Sequence, residues 1–343
     1  MSAILLIVVG LGALLLGYGF YSRFLAKRIY QLDPDFTTPS HELNDGVDYV
    51  PTNRLVLWGH HFTSVAGAAP IIGPAIAIIW GWVPAFLWVV LGTVFFAGVH
   101  DFGAVWASVR NKAQSMGVIT GDLVGKRARG LFMIVIFLLL LMVNSVFAVA
   151  ISNSFIFTPS SVLPSWSAIL VALIIGQLIY RFKVPLLWPS IGGLLALYFF
   201  LYLGPSFPFT LPEQVLGLSP NAQWILLMIA YAAVASMLPV WMLLQPRDYI
   251  NGLQLFVGLG ILYVAIGAFN PEVVVPAFNT DLPAGTPPIV PLLFVTIACG
   301  AISGFHALVG SGTTSKQIDK EPDERFVAYG GSVGEGALAL ATI

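Results

Sequence analysis

Stretches of about twenty consecutive apolar residues recur along this chain, at 3–22, 56–79, 83–108, 130–152, 165–181, 185–203, 223–244, 253–270 and 289–310. A tenth opens near Phe326 and is cut off at Ile343. A helix of that length spans roughly 30 Å of hydrocarbon. Asp, Glu, Lys and Arg together make up only 9% of the residues, against about a quarter in ordinary globular chains. So few charges cannot cover a soluble surface. A soluble enzyme, a nucleic-acid binder and a disordered chain are excluded, and an all-α integral membrane protein of about ten transmembrane helices is expected. The single Cys299 allows no intrachain disulfide.

The apolar run Ile4–Phe20 has no basic residue ahead of it, whereas Arg23, Lys27 and Arg28 follow. A cleaved leader has the opposite order. The run is therefore expected to be a first spanning helix with its N-terminus outside. All 15 Lys and Arg then fall in alternate gaps between the spans, while the opposite gaps carry only Glu213, Glu272 and Asp281. Cytoplasmic loops collect Lys and Arg, which makes the basic gaps cytoplasmic.

Two spans are interrupted. The second contains Ala66-Gly67-Ala68-Ala69-Pro70-Ile71-Ile72-Gly73-Pro74, and the seventh contains Ser236-Met237-Leu238-Pro239-Val240. Prolines and glycines so placed break the helical ladder, and irregular backbone survives at membrane depth only when buried in protein or lining a cavity. Broken helices at matching positions of two inverted repeats hold the cargo of secondary transporters. The second and seventh spans are five apart and run in opposite directions. That suits one membrane domain over 1–343: an extra helix at 3–22, a first repeat at 56–203 and an incomplete second repeat at 223–343. Gly67, Ala68, Pro70, Gly73, Ser236 and Pro239 are the expected substrate-binding positions. A lone proline as in the seventh span more often only bends a helix.

Few ionisable groups lie within the spans: His60, His61, His100, Asp101, His306 and Glu335. The first five fall at similar depth near the cytoplasmic ends of their helices and are expected to cluster. Three chemistries are open to them: a proton relay, a metal site, or hydrated packing near the interface. Adjacent His60 and His61 point about 100° apart on a helix and cannot easily grip one ion. The relay is the working expectation. In it Asp101, the only acidic residue in the first nine spans, accepts the coupling proton, and His61, His306 or His60 modulates it. No metal ligand set and no cofactor is assigned. No His-Glu-x-x-His motif occurs, and Gly310–Lys316 lacks the phosphate-loop spacing. Gly300 and Gly304 suit close helix packing, and Arg247 a cationic anchor at the C-terminal end of the seventh helix.

These segments resemble the carbon starvation protein A family of bacterial inner-membrane transporters. The likeness rests on Asp45–Arg54, Gly59-His60-His61-Phe62, Ala66–Pro74, Leu238-Pro239-Val240-Trp241, Pro246-Arg247-Asp248-Tyr249, Thr296–Ala307 and Ser311–Thr314. It implies uptake of peptides and, in some members, pyruvate, driven by protons, on a five-plus-five inverted-repeat fold. The family carries Gln at the position of His100, which shifts weight to Asp101. Its members continue beyond this length, so the chain is expected to be a fragment. The expectation is a multi-pass transporter of the bacterial inner membrane, not an enzyme. It takes up a small polar or anionic metabolite and binds no nucleic acid. A channel or a starvation sensor are the alternatives.

Overall fold

The computed structural model describes residues 2–67, 69–215, 217–302 and 305–343, leaving aside the side chains of 299–301. Ala68, one of the expected substrate positions, lies outside the described residues, as does part of the Gly300–Gly304 pair. Regular structure among the described residues is helical throughout. In chain order the elements are α1 (Ala3–Ile29), α2 (Arg54–Ala66), α3 (Ala69–Trp80) and α4 (Trp82–Arg110). There follow α5 (Met116–Val124), α6 (Lys126–Phe157), α7 (Pro159–Arg181), α8 (Leu187–Ser206), α9 (Pro220–Ser236) and α10 (Leu244–Phe269). The last are α11 (Ile289–Ala301), α12 (Phe305–Gly312) and α13 (Gly330–Leu340), the last continuing a wide turn over Arg325–Tyr329.

Six of these, α1, α4, α6, α7, α8 and α10, are long and apolar enough to cross a membrane. The α2–α3 pair, bent by 44°, makes a seventh if it is counted as one span. α9, with 17 residues, α11, with 13, and α13, with 11, are shorter than a full crossing. The usual rule of burial is inverted. Leu131, Ile134, Phe137 and Leu138 of α6 stand more than half exposed, while His61, Asp101, His306 and Glu335 are wholly buried. Lipid is the solvent that accepts such a surface.

The chain divides into two compact units, residues 1–116 with 251–343, and residues 117–250. In the second unit α6 packs on α9 and α7 on α8. Phe155, Val162 and Trp224 form one small core, and Ala172, Ala235 and Leu243 another. The interruption of the seventh span is a turn over 237–243, and the next helix already starts at Leu244. Arg247 therefore sits in the first turn of α10 and not at a helix C-terminus as expected. A cation there opposes the dipole, and the arginine is held instead by Asp248 Oδ1 and the Tyr231 hydroxyl, each 2.8 Å away.

In the first unit α3 packs on α11, α2 on α12 and α13, and α4 on α12 and α13. Two apolar clusters lie along these helices. One joins Ala77, Trp80, Val89, Val90, Leu293, Ile297, Ala339 and Leu340. The other joins Leu57, Phe102, Val105, Val109, Ile318, Val327 and Tyr329.

The interruption of the second span is narrower than nine residues. Helix α2 starts on an Asn53 cap, whose side chain accepts from the Leu55 amide at 2.9 Å, and ends at Gly67 with φ 53°. Helix resumes at Ala69 and continues through Pro70 and Pro74. Pro70 falls in the first turn, where no intrahelical donor is needed. Pro74 has no N–H to give to the carbonyl four residues earlier, that of Pro70. The Thr342 hydroxyl supplies that bond at 3.1 Å. The ninth span is also interrupted, which its sequence did not suggest: α11 stops at Ala301, Ile302 leaves helical geometry (φ −141°, ψ 19°), and α12 starts at Phe305. The two interrupted helices lie side by side, first half of one against second half of the other.

Candidate functional site: a sealed His and carboxylate cluster

Asp101 lies on α4 between the two apolar clusters, beyond Val89 and Val90 and before Val105 and Val109. His306 on α12 falls between Ile297 and Ile318, and Ser332 and Glu335 on α13 fall between Tyr329 and Ala339. The polar layer is thus enclosed by hydrocarbon along each helix that carries it. A local feature sets its register. The helix widens at Thr93–Ala97, so that the Gly98 amide bonds to Thr93 O. The Val94 carbonyl it passes over takes the Tyr329 hydroxyl at 2.9 Å. Such wide turns concentrate at functional sites. Close approach completes the fit: a Cβ on Gly331 would stand 2.8 Å from His61 Cδ2.

His61 Nε2 is 2.8 Å from Asp101 Oδ2, and its Nδ1 is 2.8 Å from the Thr314 hydroxyl. The Ser332 hydroxyl donates to the same Asp101 oxygen at 3.1 Å and lies 3.3 Å from His306 Nδ1. That nitrogen is 3.4 Å from Asp101 Oδ2, and His306 Nε2 is 2.6 Å from Glu335 Oε2. Asp101 Oδ1 has no hydrogen-bond partner among the described residues. Thr314, His61 and Asp101 are joined by hydrogen bonds, and His306 and Glu335 extend the run by close ion pairs that lack hydrogen-bond geometry; the whole run is buried.

Charge bookkeeping shows what this run can do. With both imidazoles neutral and both carboxylates ionised, the cluster carries two uncompensated negative charges. Two protons shared among the four groups make it neutral, and loss of one leaves a net charge sealed in a medium of low dielectric. Such a charge is costly unless it is paired or the site opens. Proton binding is thereby tied to which conformation is favoured. The arrangement suits proton transfer. Among the described residues no group of three or more His, Cys, Asp or Glu is placed to hold a metal ion.

Residues 2–343 match the family described as Carbon starvation protein CstA. The chain belongs to that family. The Peptide transporter CstA of Campylobacter jejuni is 36% identical over the whole of this chain and half of its own length. The Pyruvate/proton symporter BtsT of Escherichia coli is 35% identical over the whole chain and 48% of its own length. The Peptide transporter CstA of Bacillus subtilis is 35% identical over 99% of the chain and 58% of its own length. The chain spans about half the length of these curated relatives. No solved structure matches it.

Of the residues expected to cluster in this CstA-family chain, the structure brings together His61, Asp101 and His306. His60 is buried as well, and His100 is exposed on α4. Ser236 is exposed and donates to the Ala233 carbonyl at 2.8 Å, while Pro239 is half-buried in the 237–243 turn. Gly67 is exposed, and Pro70 and Gly73 are buried in α3. Glu335 had a signal in the sequence, as an acidic residue in an apolar helix, but no partner that sequence position could name. Ser332 and Thr314 carry no signal of their own, since hydroxyls are common in membrane helices.

Proposed function

We propose that the protein is a proton-coupled secondary transporter importing a small carboxylate-bearing metabolite, a peptide or pyruvate, by alternating access. The observation that carries the reading is the sealed run from His61 through Asp101 and His306 to Glu335, in a unit built round two interrupted helices. The names of the relatives, a peptide transporter and a pyruvate/proton symporter, support the same class. In this reading Asp101 accepts the coupling proton, His61 and His306 shuttle and compensate it, Glu335 balances His306, and His60 tunes the approach. Substrate is held by Gly67, Ala68, Pro70 and Gly73, where the positive dipole end of α3 favours a carboxylate. Ser236 and Pro239, at the second unit's interruption, are assigned to substrate contact as well. The chain is read as ten spans in the bacterial inner membrane with its N-terminus outside, arranged as a five-plus-five inverted repeat after one extra helix. It is not an enzyme.

The test is uptake of labelled pyruvate and of a labelled dipeptide into vesicles carrying the full gene product, with and without an imposed pH gradient. Asp101→Asn keeps the shape of a protonated carboxyl but fixes its charge. It should keep exchange between equal concentrations and lose gradient-driven accumulation. Accumulation equal to wild type in folded Asp101→Asn would remove Asp101 from the proton path. Flux without accumulation in the wild type would instead indicate a channel, and binding without flux a sensor.

A further inference from the structure

A second group of buried charges lies on the basic side of the same unit, about 13 Å along α4 from Asp101, at 1.5 Å per residue over nine residues. Residues 313–324, between α12 and the last helix, form a strap across that side. The Thr52 amide donates to Gln317 O at 3.1 Å, the Ser40 hydroxyl to Ile318 O at 2.7 Å, and the Thr38 hydroxyl to Asp319 O at 3.1 Å. His41 and Lys316 add ion pairs to Asp319 and Asp48, at 2.8 and 3.1 Å. At the centre, buried Glu321 accepts the Asp33 amide at 2.6 Å and grips the Arg110 guanidinium at both Nε and NH2, the latter at 2.9 Å.

Glu324 follows one turn later, its amide bonded to Glu321 O at 3.1 Å. Its side chain is wholly buried, and neither carboxylate oxygen has a hydrogen-bond partner among the described residues. The charged groups around it are spoken for. Arg110 belongs to Glu321, Arg54 lies 3.9 Å from Asp323, and Arg325 is turned to Ser22 Oγ and Tyr18 O at 2.7 and 2.8 Å. Burial first, and then the neighbouring Glu321, push the Glu324 carboxyl well above the usual carboxylate range, against the pull of Arg110. A carboxylate in that position would have to share Arg110 with Glu321, and one guanidinium cannot satisfy two buried anions.

We propose that Glu324 is a proton-binding station on the cytoplasmic side of the transporter, protonated while the strap is closed over the Arg110–Glu321 pair and releasing its proton to cytoplasmic water as the strap lifts. The inference rests on the transporter reading for its orientation and consequence. It adds a site which that reading does not contain. The only chemistry is loss of H⁺ from the carboxyl. The carboxylate so formed competes for Arg110, loosens the strap, and thereby frees α4 and the last helix, which carry Asp101 and Glu335. Cytoplasmic pH would then set how readily the inner side opens.

The test uses the full gene product in vesicles with external pH fixed and internal pH stepped. The wild-type exchange rate should rise with internal pH by up to about tenfold per unit, the limit for one proton. Glu324→Gln, a permanently protonated mimic, should flatten that profile at its acid value. Infrared difference spectra of the same samples should show a protonated-carboxyl band that fades as internal pH rises and is missing in Glu324→Gln. If that variant fails to fold, Glu324→Leu, which needs no partner in an apolar site, serves for both measurements. A wild-type pH profile in either variant, or a band that survives the substitution, overturns the proposal. Absence of any transport in the wild type would refute the transporter reading instead, and the infrared titration would still decide Glu324.

Discussion

Adding one methyl group at Gly331 tests whether the His61–Asp101 contact drives coupling. A Cβ there stands 2.8 Å from His61 Cδ2, and ordinary contact starts near 3.4 Å, so the imidazole must give by about 0.6 Å. Phe62 Cα, 3.9 Å from the same point, bounds the other side, and His61 is wholly buried. A shift of that size takes the 2.8 Å His61–Asp101 bond to the edge of hydrogen bonding. Losing a charge-assisted bond costs roughly 1.5–3 kcal/mol, about a ten- to hundredfold change in an equilibrium at 1.4 kcal/mol per decade. Replacing a helical Gly by Ala contributes up to about 1 kcal/mol in the opposite sense, so net stability should fall by only about 0.5–2 kcal/mol while coupling falls. Gly330→Ala is the control, since its Cβ would meet Trp58 Nε1 at 3.4 Å and nothing nearer. In vesicles Gly331→Ala should retain exchange and lose at least tenfold in the initial rate of gradient-driven uptake, with Gly330→Ala close to wild type. Equal uptake by both variants would refute the argument that His61 is held in place for proton transfer.

Thr342→Val is near-isosteric but removes the side-chain donor to the Pro70 carbonyl. It should cost about 1–3 kcal/mol and lower the unfolding temperature in detergent, and Thr342→Ser should restore it. Glu324 gives a pH prediction whose sign is set by its raised pKa. The stability from burying it protonated is complete below the ordinary glutamate value of 4.5 and declines as pH rises through the folded-state value. Glu324→Gln should therefore make thermal stability less sensitive to alkaline pH, as melting curves across a pH series would show.

Apolar segments and the clustering of Lys and Arg were legible because both depend on local composition, and six of the expected spans are long apolar helices in the structure. Counting apolar residues and Lys/Arg needs no knowledge of which helix meets which. The candidate site was legible in part. Asp101 stands out as a charge in an apolar helix, and His61 and His306 fall at similar depth, so their meeting was within reach. That His61 meets it depends on the rotation of α2 against α4. Glu335 was visible as a residue and invisible as the partner of His306. The end of α11 at Ala301 escaped notice because no proline marks it, whereas the interruption of the second span was overdrawn because Pro70 and Pro74 both find places inside a helix.

The amino-acid sequence by itself determined that the chain is an integral membrane protein, where its apolar segments lie and which gaps between them carry its Lys and Arg. Each of these follows from transfer energies that add residue by residue. Tertiary structure alone decided that Thr342 completes α3, that Tyr329 sets the register of α4, and that two carboxylates share His306 within a layer closed by hydrocarbon on both sides. These contacts join residues 29 to 272 positions apart. Their energies depend on desolvation and on distances of tenths of an ångström, which only the packed helices define.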